Sequence, residues 1–259
     1  IEEKVDLIIQ CPKFDKSKSQ IEKCVFDSLK NNNDKIFDKL LPLIDNDVNI
    51  CDFSNKTLLH SAIRNQSDKN VTKILNNDKF DSKKNDFLNA FISSYQYRYF
   101  GNNTDNSPTI MKSILEYDKN HDHLIDLTKL LPNGYSFYTV IKSPGNVRKV
   151  VDFLLENGAD PNMPDIHGVY PLEYAIYVES REFVSALLDS GKIDPNCYAV
   201  KDGVVKLYRG GIDTKSEIYK KALRRLRNEQ KQKNNDKGQG GRGGRGGKKG
   251  GRGGQRGRF

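Results

Sequence analysis

Apolar residues recur along this chain at helical spacing, and the same spacing returns more than once. Val71, Ile74 and Leu75 lie at i, i+3 and i+4, and Val184 begins an identical pattern. Such a pattern predicts the buried face of an amphipathic helix. A shorter apolar run precedes each of these helices, LLHSAI at 58–63 and PLEYAI at 171–176. The pattern therefore predicts paired helices, a short one followed by a longer one.

The paired helices belong to a repeat that aligns without a gap. DFSNKTLLHSAI occupies 52–63 and DIHGVYPLEYAI occupies 165–176. The interval from Thr57 to Val71 is 14 residues, and so is the interval from Tyr170 to Val184. A third copy, VVDFLLENGADPN at 150–162, supplies the end of the unit, and its Leu155 lies 33 residues before Leu188.

The residues at the helix ends carry physical meaning. Thr57 and Pro171 mark the start of the first helix, where the missing N–H of proline is not needed. Gly158 and Gly191 follow the second helix, where a left-handed residue ends a helix most easily. Each unit is therefore predicted as helix, turn, helix and closing turn.

This repeat resembles the ankyrin repeat, which has a period of 33 and the signature T-P-L-H-x-A. The closing L-L-x-x-G-A-D-x-N of that family is matched at 154–162. The departures are Leu58 in place of Pro, Glu173 in place of His, and Gln66 and Glu179 in place of the glycine between the helices.

The resemblance implies an all-α fold, an ankyrin-repeat α-solenoid of stacked helix-turn-helix units. Residues 1–18 are predicted as a partial unit or lead-in. Helices are also expected at 87–99 and 109–117, within a stretch at 78–132 where the pattern is irregular. The predicted units are 19–51, 52–84, 85–132, 133–164 and 165–197.

A helical cap is predicted at 198–230, followed by a tail at 231–259. Asp213 or Thr214 would begin the cap helix, and its buried face would consist of Ile218, Ala222, Leu223 and Leu226. From Gly238 to Phe259 there are 12 Gly, 5 Arg and 2 Lys in 22 residues, with no acidic residue. Such a composition buries too little apolar surface to fold, so a disordered tail is expected.

Charge separates the tail from the rest of the chain. Residues 215–259 hold 16 Lys and Arg against 3 Asp and Glu, a net of +13. Because the whole chain carries +9, residues 1–214 carry −4. This asymmetry indicates a basic appendage on a mildly acidic domain. No apolar run approaches the roughly 20 residues of a membrane helix, so we expect no membrane partner.

The tail sequence GRGGRGG at 241–247 resembles the RGG box of RNA-associated proteins. Flexible Arg side chains can reach phosphates and stack on exposed bases. The alternative is a tail that only solubilises the chain, and the sequence leaves both open. The candidate nucleic-acid-binding residues are Arg242, Arg245, Lys248, Lys249, Arg252, Arg256 and Arg258.

Catalytic and metal-binding chemistry finds little support in the sequence. Cys11, Cys24, Cys51 and Cys197 are too scattered for a zinc site or a disulfide framework, which favours free thiols in a reducing compartment. The cluster HDH at 121–123 has no third ligand nearby in sequence. The family resemblance gives His60 a structural role. We therefore predict no enzyme, no cofactor and no bound metal.

The resemblance implies a protein-binding face formed by the turn tips and the exposed side of each first helix. The candidate residues are Lys56, Ser61, Arg64, Asn65, Ile166, His167, Val169, Tyr174 and Tyr177. Tyr174 and Tyr177 are either exposed partner contacts or packed against a neighbouring unit, and both interpretations remain open.

Two functions follow from these features. The first is a non-enzymatic, monomeric scaffold that binds a protein partner, with a basic tail for RNA or another polyanion. The alternative is an RNA-binding regulator in which the tail is the main binding element. Degenerate ankyrin arrays in Asn- and Lys-rich chains resemble those of intracellular bacteria, viruses and protists. We therefore expect a cytoplasmic location, or delivery into a host cell.

Overall fold

The computed structural model describes residues 17–45, 47–96, 106–141, 146–197, 200–201, 204–205 and 216–239. This part of the chain is all-α, apart from one hairpin of two-residue strands. It forms two compact units, 17–193 and 194–239. The predicted lead-in up to residue 16 and the predicted tail from residue 240 lie outside the described residues.

The first unit contains nine α-helices among the residues described. They are α1 (Lys18–Lys30), α2 (Asp34–Leu40), α3 (Leu58–Arg64), α4 (Asp68–Leu75), α5 (Phe87–Gln96), α6 (Ser107–Asn120), α7 (Val147–Glu156), α8 (Pro171–Tyr177) and α9 (Arg181–Asp189). Two 3₁₀ turns, Leu41–Ile44 and Ser82–Asn85, lie between them. The helix predicted at 87–99 begins at Phe87 as expected, and residues 97–99 lie outside the described residues. The helix predicted at 109–117 is present but longer at both ends, Ser107–Asn120. Pro108, in the first turn of α6, suits a start earlier than predicted.

These helices stack in two rows. Helices α1, α3 and α5 follow one another in the first row, and α4, α6, α7 and α9 follow one another in the second. Each first-row helix packs against the next helix in the chain, and α8 packs against α9 in the same way. The core lies between the rows, where Leu58, Ile63 and Val71 are fully buried.

The turn between paired helices is the same in three pairs. Its left-handed residue has the positive φ that favours glycine, yet it is Asn32 (φ 51°), Gln66 (φ 53°) or Glu179 (φ 52°). The next residue donates its N–H to a carbonyl five residues earlier, as in Ser67 N to Ala62 O at 3.1 Å. This is the Schellman arrangement that ends a helix. Gln66 and Glu179 thus occupy a glycine-like conformation without being glycine.

Asparagine side chains link successive closing turns. The Asn49 amide donates to the carbonyl of Lys79 at 2.5 Å, and the Asn162 amide donates to the carbonyl of Lys192 at 2.9 Å. Each bond spans 30 residues, so each joins one closing turn to the next. Each turn is also held by an aspartate that accepts the backbone N–H of the asparagine two residues later: Asp47 for Asn49 and Asp160 for Asn162.

The segment 136–141 stands where a first-row helix is expected, but it forms turns. Phe137 O accepts from Tyr95 Oη of α5 at 3.3 Å, and Ile141 O accepts from Tyr174 Oη of α8 at 3.2 Å. The segment therefore lies between α5 and α8 and is hydrogen-bonded to both.

The second unit departs from the predicted cap and tail. It contains the 3₁₀ turn Pro195–Cys197, strands β1 (Val200–Lys201) and β2 (Val204–Val205), and helix α10 (Glu217–Gln239), which contacts the 3₁₀ turn. The prediction of a disordered tail from 231 is wrong as far as 239, because α10 continues to Gln239, well past Leu226, its last apolar residue. Asp213 and Thr214 lie outside the described residues.

The buried face of α10 also differs from the prediction. Tyr219, Ala222 and Leu226 are buried at i, i+3 and i+7, whereas Ile218 and Leu223 are only half-buried. The prediction of Ile218 and Leu223 as core residues is therefore wrong. The sequence offered two overlapping apolar faces, and the one that includes the Tyr219 ring buries the larger side chain.

Candidate protein-binding surface

Two turns, 52–56 and 165–169, fold through the same set of hydrogen bonds. Asp52 Oδ1 accepts from the N–H groups of Ser54 and Lys56, at 2.8 and 2.9 Å. Asp165 Oδ1 accepts from the equivalent N–H groups of His167 and Val169, at 2.9 and 3.0 Å. A left-handed residue completes each turn, Asn55 in one and Gly168 in the other. An aspartate therefore fixes the shape of both tips.

Each rigid turn presents a large apolar side chain to solvent directly after its aspartate. Phe53 is 100% exposed, and Ile166 at the equivalent position is 66% exposed. Large apolar side chains held in water on ordered turns are typical of interaction sites. The sequence alignment of the two turns places Phe53 opposite Ile166, so this signal was available before the structure, but sequence reasoning missed Phe53.

Lys56 and Val169 occupy equivalent positions at the ends of these turns but differ in exposure. Lys56 is exposed, whereas Val169 is buried with 6% exposure. The prediction that Val169 is an exposed contact residue is therefore wrong. Valine gains by covering its apolar side chain where the turn closes onto α8, while lysine keeps its ammonium in water.

The two candidate tyrosines of α8 have different environments. Tyr174 is half-buried, donates its hydroxyl to Ile141 O at 3.2 Å, and lies edge-on to Phe183 with ring centroids 6.3 Å apart. Burial raises the pKa of its hydroxyl. Tyr177 is 55% exposed. Packing between neighbouring segments therefore accounts for Tyr174, and Tyr177 is the residue available to a partner.

A third aromatic residue joins the turn tip at 165–169. Tyr135 lies beside His167, with ring centroids 5.7 Å apart, and Ile166 N donates to Gly134 O at 2.8 Å. Tyr135, Ile166 and His167, all exposed, are called the tip cluster below. Sequence reasoning missed Tyr135, because residues 131–135 were not recognised as a copy of the turn at 165–169.

The other candidate residues lie at a groove between α1 and α3. Ser61, Arg64 and Asn65 line one side of this groove, whose volume is about 610 Å³. Both acidic and basic side chains line it, so its charge is mixed. The remaining lining residues are Ser19, Glu22, Lys23, Phe26, Asp27, Lys30, Cys51, Asp52 and Phe53.

His60 is held inside the protein. Its Nδ1 lies 2.9 Å from Thr57 Oγ1, and Thr57 Oγ1 also accepts from His60 N at 3.3 Å. Burial lowers the pKa of His60, nearby Lys56 lowers it further, and Asp86 opposes them. A neutral imidazole bonded to the residue that begins α3 steadies the helix start.

His121 and its neighbours form no metal centre in the part of the chain that the structure describes. His121 stacks on Tyr117 with centroids 4.0 Å apart and bonds the Tyr117 carbonyl through Nδ1 at 2.8 Å. Asp122 accepts from Ser82 Oγ. Among the described residues, no three His, Cys, Asp or Glu side chains are grouped closely enough to hold a metal ion.

The tail residues predicted to contact nucleic acid, from Arg242 to Arg258, lie outside the described residues. Within the described ranges, no helix has the length and apolar character to cross a membrane. No known family model matches the chain, and no curated protein aligns with it.

Proposed function

We propose that this chain is a non-enzymatic, ankyrin-repeat-type scaffold that binds a protein partner, with a basic tail that attaches to RNA or another polyanion. The observation that carries the proposal is the matched pair Phe53 and Ile166. Two turns far apart in sequence are held by the same aspartate hydrogen bonds, and each exposes an apolar side chain to water.

The repeating architecture supports this function. Successive closing turns are linked by Asn49 and Asn162 over 30 residues, and the helices stack in two rows. Stacked units of this kind create one extended surface along their turn tips and first helices. On that surface the groove beside Phe53, the tip cluster and Tyr177 would each accept part of the partner. Exposed aromatic residues dominate interface energetics, which favours a protein ligand.

The test is capture of a partner from a lysate by the full chain and by variants at the two turn tips. We expect Phe53→Glu and Ile166→Glu each to weaken retention of the same partner by roughly tenfold or more, because a charge replaces an apolar contact. Leu43→Glu is the matched control. Leu43 is also a large exposed apolar residue, but it lies in the 3₁₀ turn after α2.

Nuclease treatment separates this function from its alternative, an RNA-binding regulator that depends on the tail. The proposal requires a partner that survives nuclease and is lost with Phe53→Glu or Ile166→Glu but kept with Leu43→Glu. If nuclease removes every captured species and the tip variants change nothing, the tail is the function and the scaffold proposal is wrong.

A further inference from the structure

Helix α10 carries a second concentration of positive charge, separate from the glycine-rich tail. Its exposed side chains include Lys221, Arg224, Arg227 and Lys231, whereas Lys220 is half-buried and pairs with Glu217 at 2.8 Å. Lys221, Arg224, Arg227 and Lys231 follow one another three or four residues apart, so they form one stripe along the helix. At 1.5 Å per residue this stripe is roughly 15 Å long. It is called the basic stripe below.

The opposite side of α10 is already covered. Tyr219, Ala222 and Leu226 are all buried, so the main apolar face among the described side chains of the helix is covered. A helix that binds a membrane surface needs a free apolar face to enter the lipid boundary. The basic stripe offers polar and charged groups instead, and its ligand is a polyanion rather than a membrane.

Two features favour a single strand of RNA over other polyanions. The stripe contains planar arginine side chains, which bind phosphates and stack on unpaired bases that only single strands expose. Asn228 and Gln232 lie exposed one turn apart beside the stripe. Their amides can bond the 2′-hydroxyl, the group that distinguishes RNA from DNA.

The sequence after the helix extends the same chemistry. Residues 240–259, which follow α10 in the sequence, add seven Lys and Arg and no acidic residue. A long chain of phosphates has more charges to offer these basic residues than a compact anion does.

We propose that the basic stripe of α10 is an RNA-binding site that engages the phosphates of single-stranded RNA, with Asn228 and Gln232 reading the ribose. The site goes beyond the scaffold function, which concerns the first unit, and does not require it. It predicts that RNA affinity depends on α10 as well as on the tail.

The experiment measures binding of a labelled single-stranded RNA to the full chain over a range of salt concentrations. In the variant Lys221→Gln, Arg224→Gln, Lys231→Gln we expect about 100-fold weaker binding near 0.1 M salt. The slope of log K against log salt should also fall in magnitude by about 2, since each lost phosphate contact removes about 0.7. Glutamine is a good helix former, so α10 should persist, and circular dichroism checks this.

The matched control removes three exposed lysines from the first unit, through Lys69→Gln, Lys83→Gln and Lys149→Gln. It has the same net charge as the stripe variant and should bind within about threefold of the original chain. A second variant, Lys221→Arg with Lys231→Arg, keeps the charge and should bind normally. If the stripe variant loses helix, this pair still tests the charge, because loss of binding here would contradict the proposal.

Three results would overturn the proposal. One is equal loss of affinity in the stripe variant and the control, which would show only a net-charge effect. Another is an unchanged affinity and salt slope in the stripe variant. The third is equal binding of RNA, single-stranded DNA and polyglutamate, together with an unchanged RNA affinity in the double variant Asn228→Ala, Gln232→Ala. Retention of the protein partner by the stripe variant, measured in parallel, separates this site from the scaffold function.

Discussion

The segments 131–141 and 165–175 begin alike and then diverge. Leu131 N donates to Tyr135 O at 2.8 Å, just as Asp165 N donates to Val169 O at 3.0 Å. Gly134 and Gly168 hold the same left-handed position, with φ of 80° and 76°. After this turn, the segment 165–175 enters helix α8, whereas the segment 131–141 continues as the turns of 136–141. The same turn can therefore form with or without a helix after it.

The side chains explain the divergence. Helix α8 starts with Pro171 at its first position and contains Ala175, both suited to a helix. The matching residues are Phe137 and Ile141, in a run of aromatic and β-branched residues that lose rotamer freedom in a helix. Local propensity thus opposes the helix throughout this run.

Neighbouring helices supply hydrogen-bond donors to the carbonyls of the segment 136–141. Carbonyls that would bond within a helix accept from Tyr95 and Gln96 of α5 and from Tyr174 of α8. Buried carbonyls must find partners, so these three side chains make the irregular segment tolerable.

The largest expected difference between the two segments concerns Gly134 and Gly168, the glycines at the equivalent position of each turn. Gly168→Ala should cost about 1–2 kcal/mol in the free energy of unfolding, since alanine is strained at positive φ. Gly134→Ala should cost about 1–3 kcal/mol more, because the new Cβ would lie 2.7 Å from Ile166 Cβ, whereas at Gly168 no atom lies within 4 Å. Urea unfolding of both variants measures this, and equal losses would contradict the packing described between the turns.

A smaller effect is expected from the hydroxyls that serve the irregular segment. Tyr95→Phe and Tyr174→Phe should each lower the free energy of unfolding by about 1 kcal/mol, because Phe137 O and Ile141 O lose their donors. Tyr177→Phe is the control, since its exposed hydroxyl meets water in either state. Chemical denaturation of the three variants gives the comparison, and a loss in Tyr177→Phe as large as the others would count against this account.

The smallest expected effect concerns the side chain that accepts a backbone N–H just after the turn, which is Glu173 in one segment and Thr139 in the other. Glu173 Oε2 accepts from Tyr170 N at 3.1 Å, and Thr139 Oγ1 accepts from Ser136 N at the same distance without a charge. Burial raises the pKa of Glu173, and nearby Asp165 adds to this, while the Tyr170 N–H opposes it. The folded protein therefore holds this proton more tightly than the unfolded chain does.

The sign of the pH dependence follows from the raised pKa of the Glu173 carboxyl. The stability that the protonated carboxyl gives the folded state is fully present below its unfolded pKa and is lost as pH rises through its higher folded pKa. Glu173→Gln cannot ionise, so its free energy of unfolding should fall less than that of the original chain as pH rises from 4.5. Unfolding curves of both proteins between pH 4 and pH 7 measure the difference, and a difference independent of pH would contradict a raised pKa.

The sequence was most informative where backbone geometry dictates residue type. Thr57, Pro171, Gly158 and Gly191 stand at the predicted helix ends, and both glycines have positive φ. It was least informative where the outcome depends on neighbours. The turns at 136–141 rely on side chains of α5 and α8, which no local pattern reveals.

The candidate surface divides in the same way. Ile166 lies in a turn and Tyr177 at the end of a helix, both of which sequence spacing predicts, and both side chains are exposed. The sequence misplaces Val169 at the surface, leaves Tyr174 open between two interpretations and gives no assignment for Tyr135, because their exposure depends on how adjacent turns pack.

The hydrogen bonds from α5 and α8 to the segment 136–141 also bear on cooperativity. In a linear array, each unit is stabilised by its own bonds and by its neighbours. In the segment 136–141, the carbonyls of Phe137 and Val140 accept from α5 and the carbonyl of Ile141 accepts from α8. Its full set of hydrogen bonds therefore forms only when both sides are folded, which links the stability of one side to that of the other. A structural irregularity in the middle of the array thus acts as a coupling between its two halves.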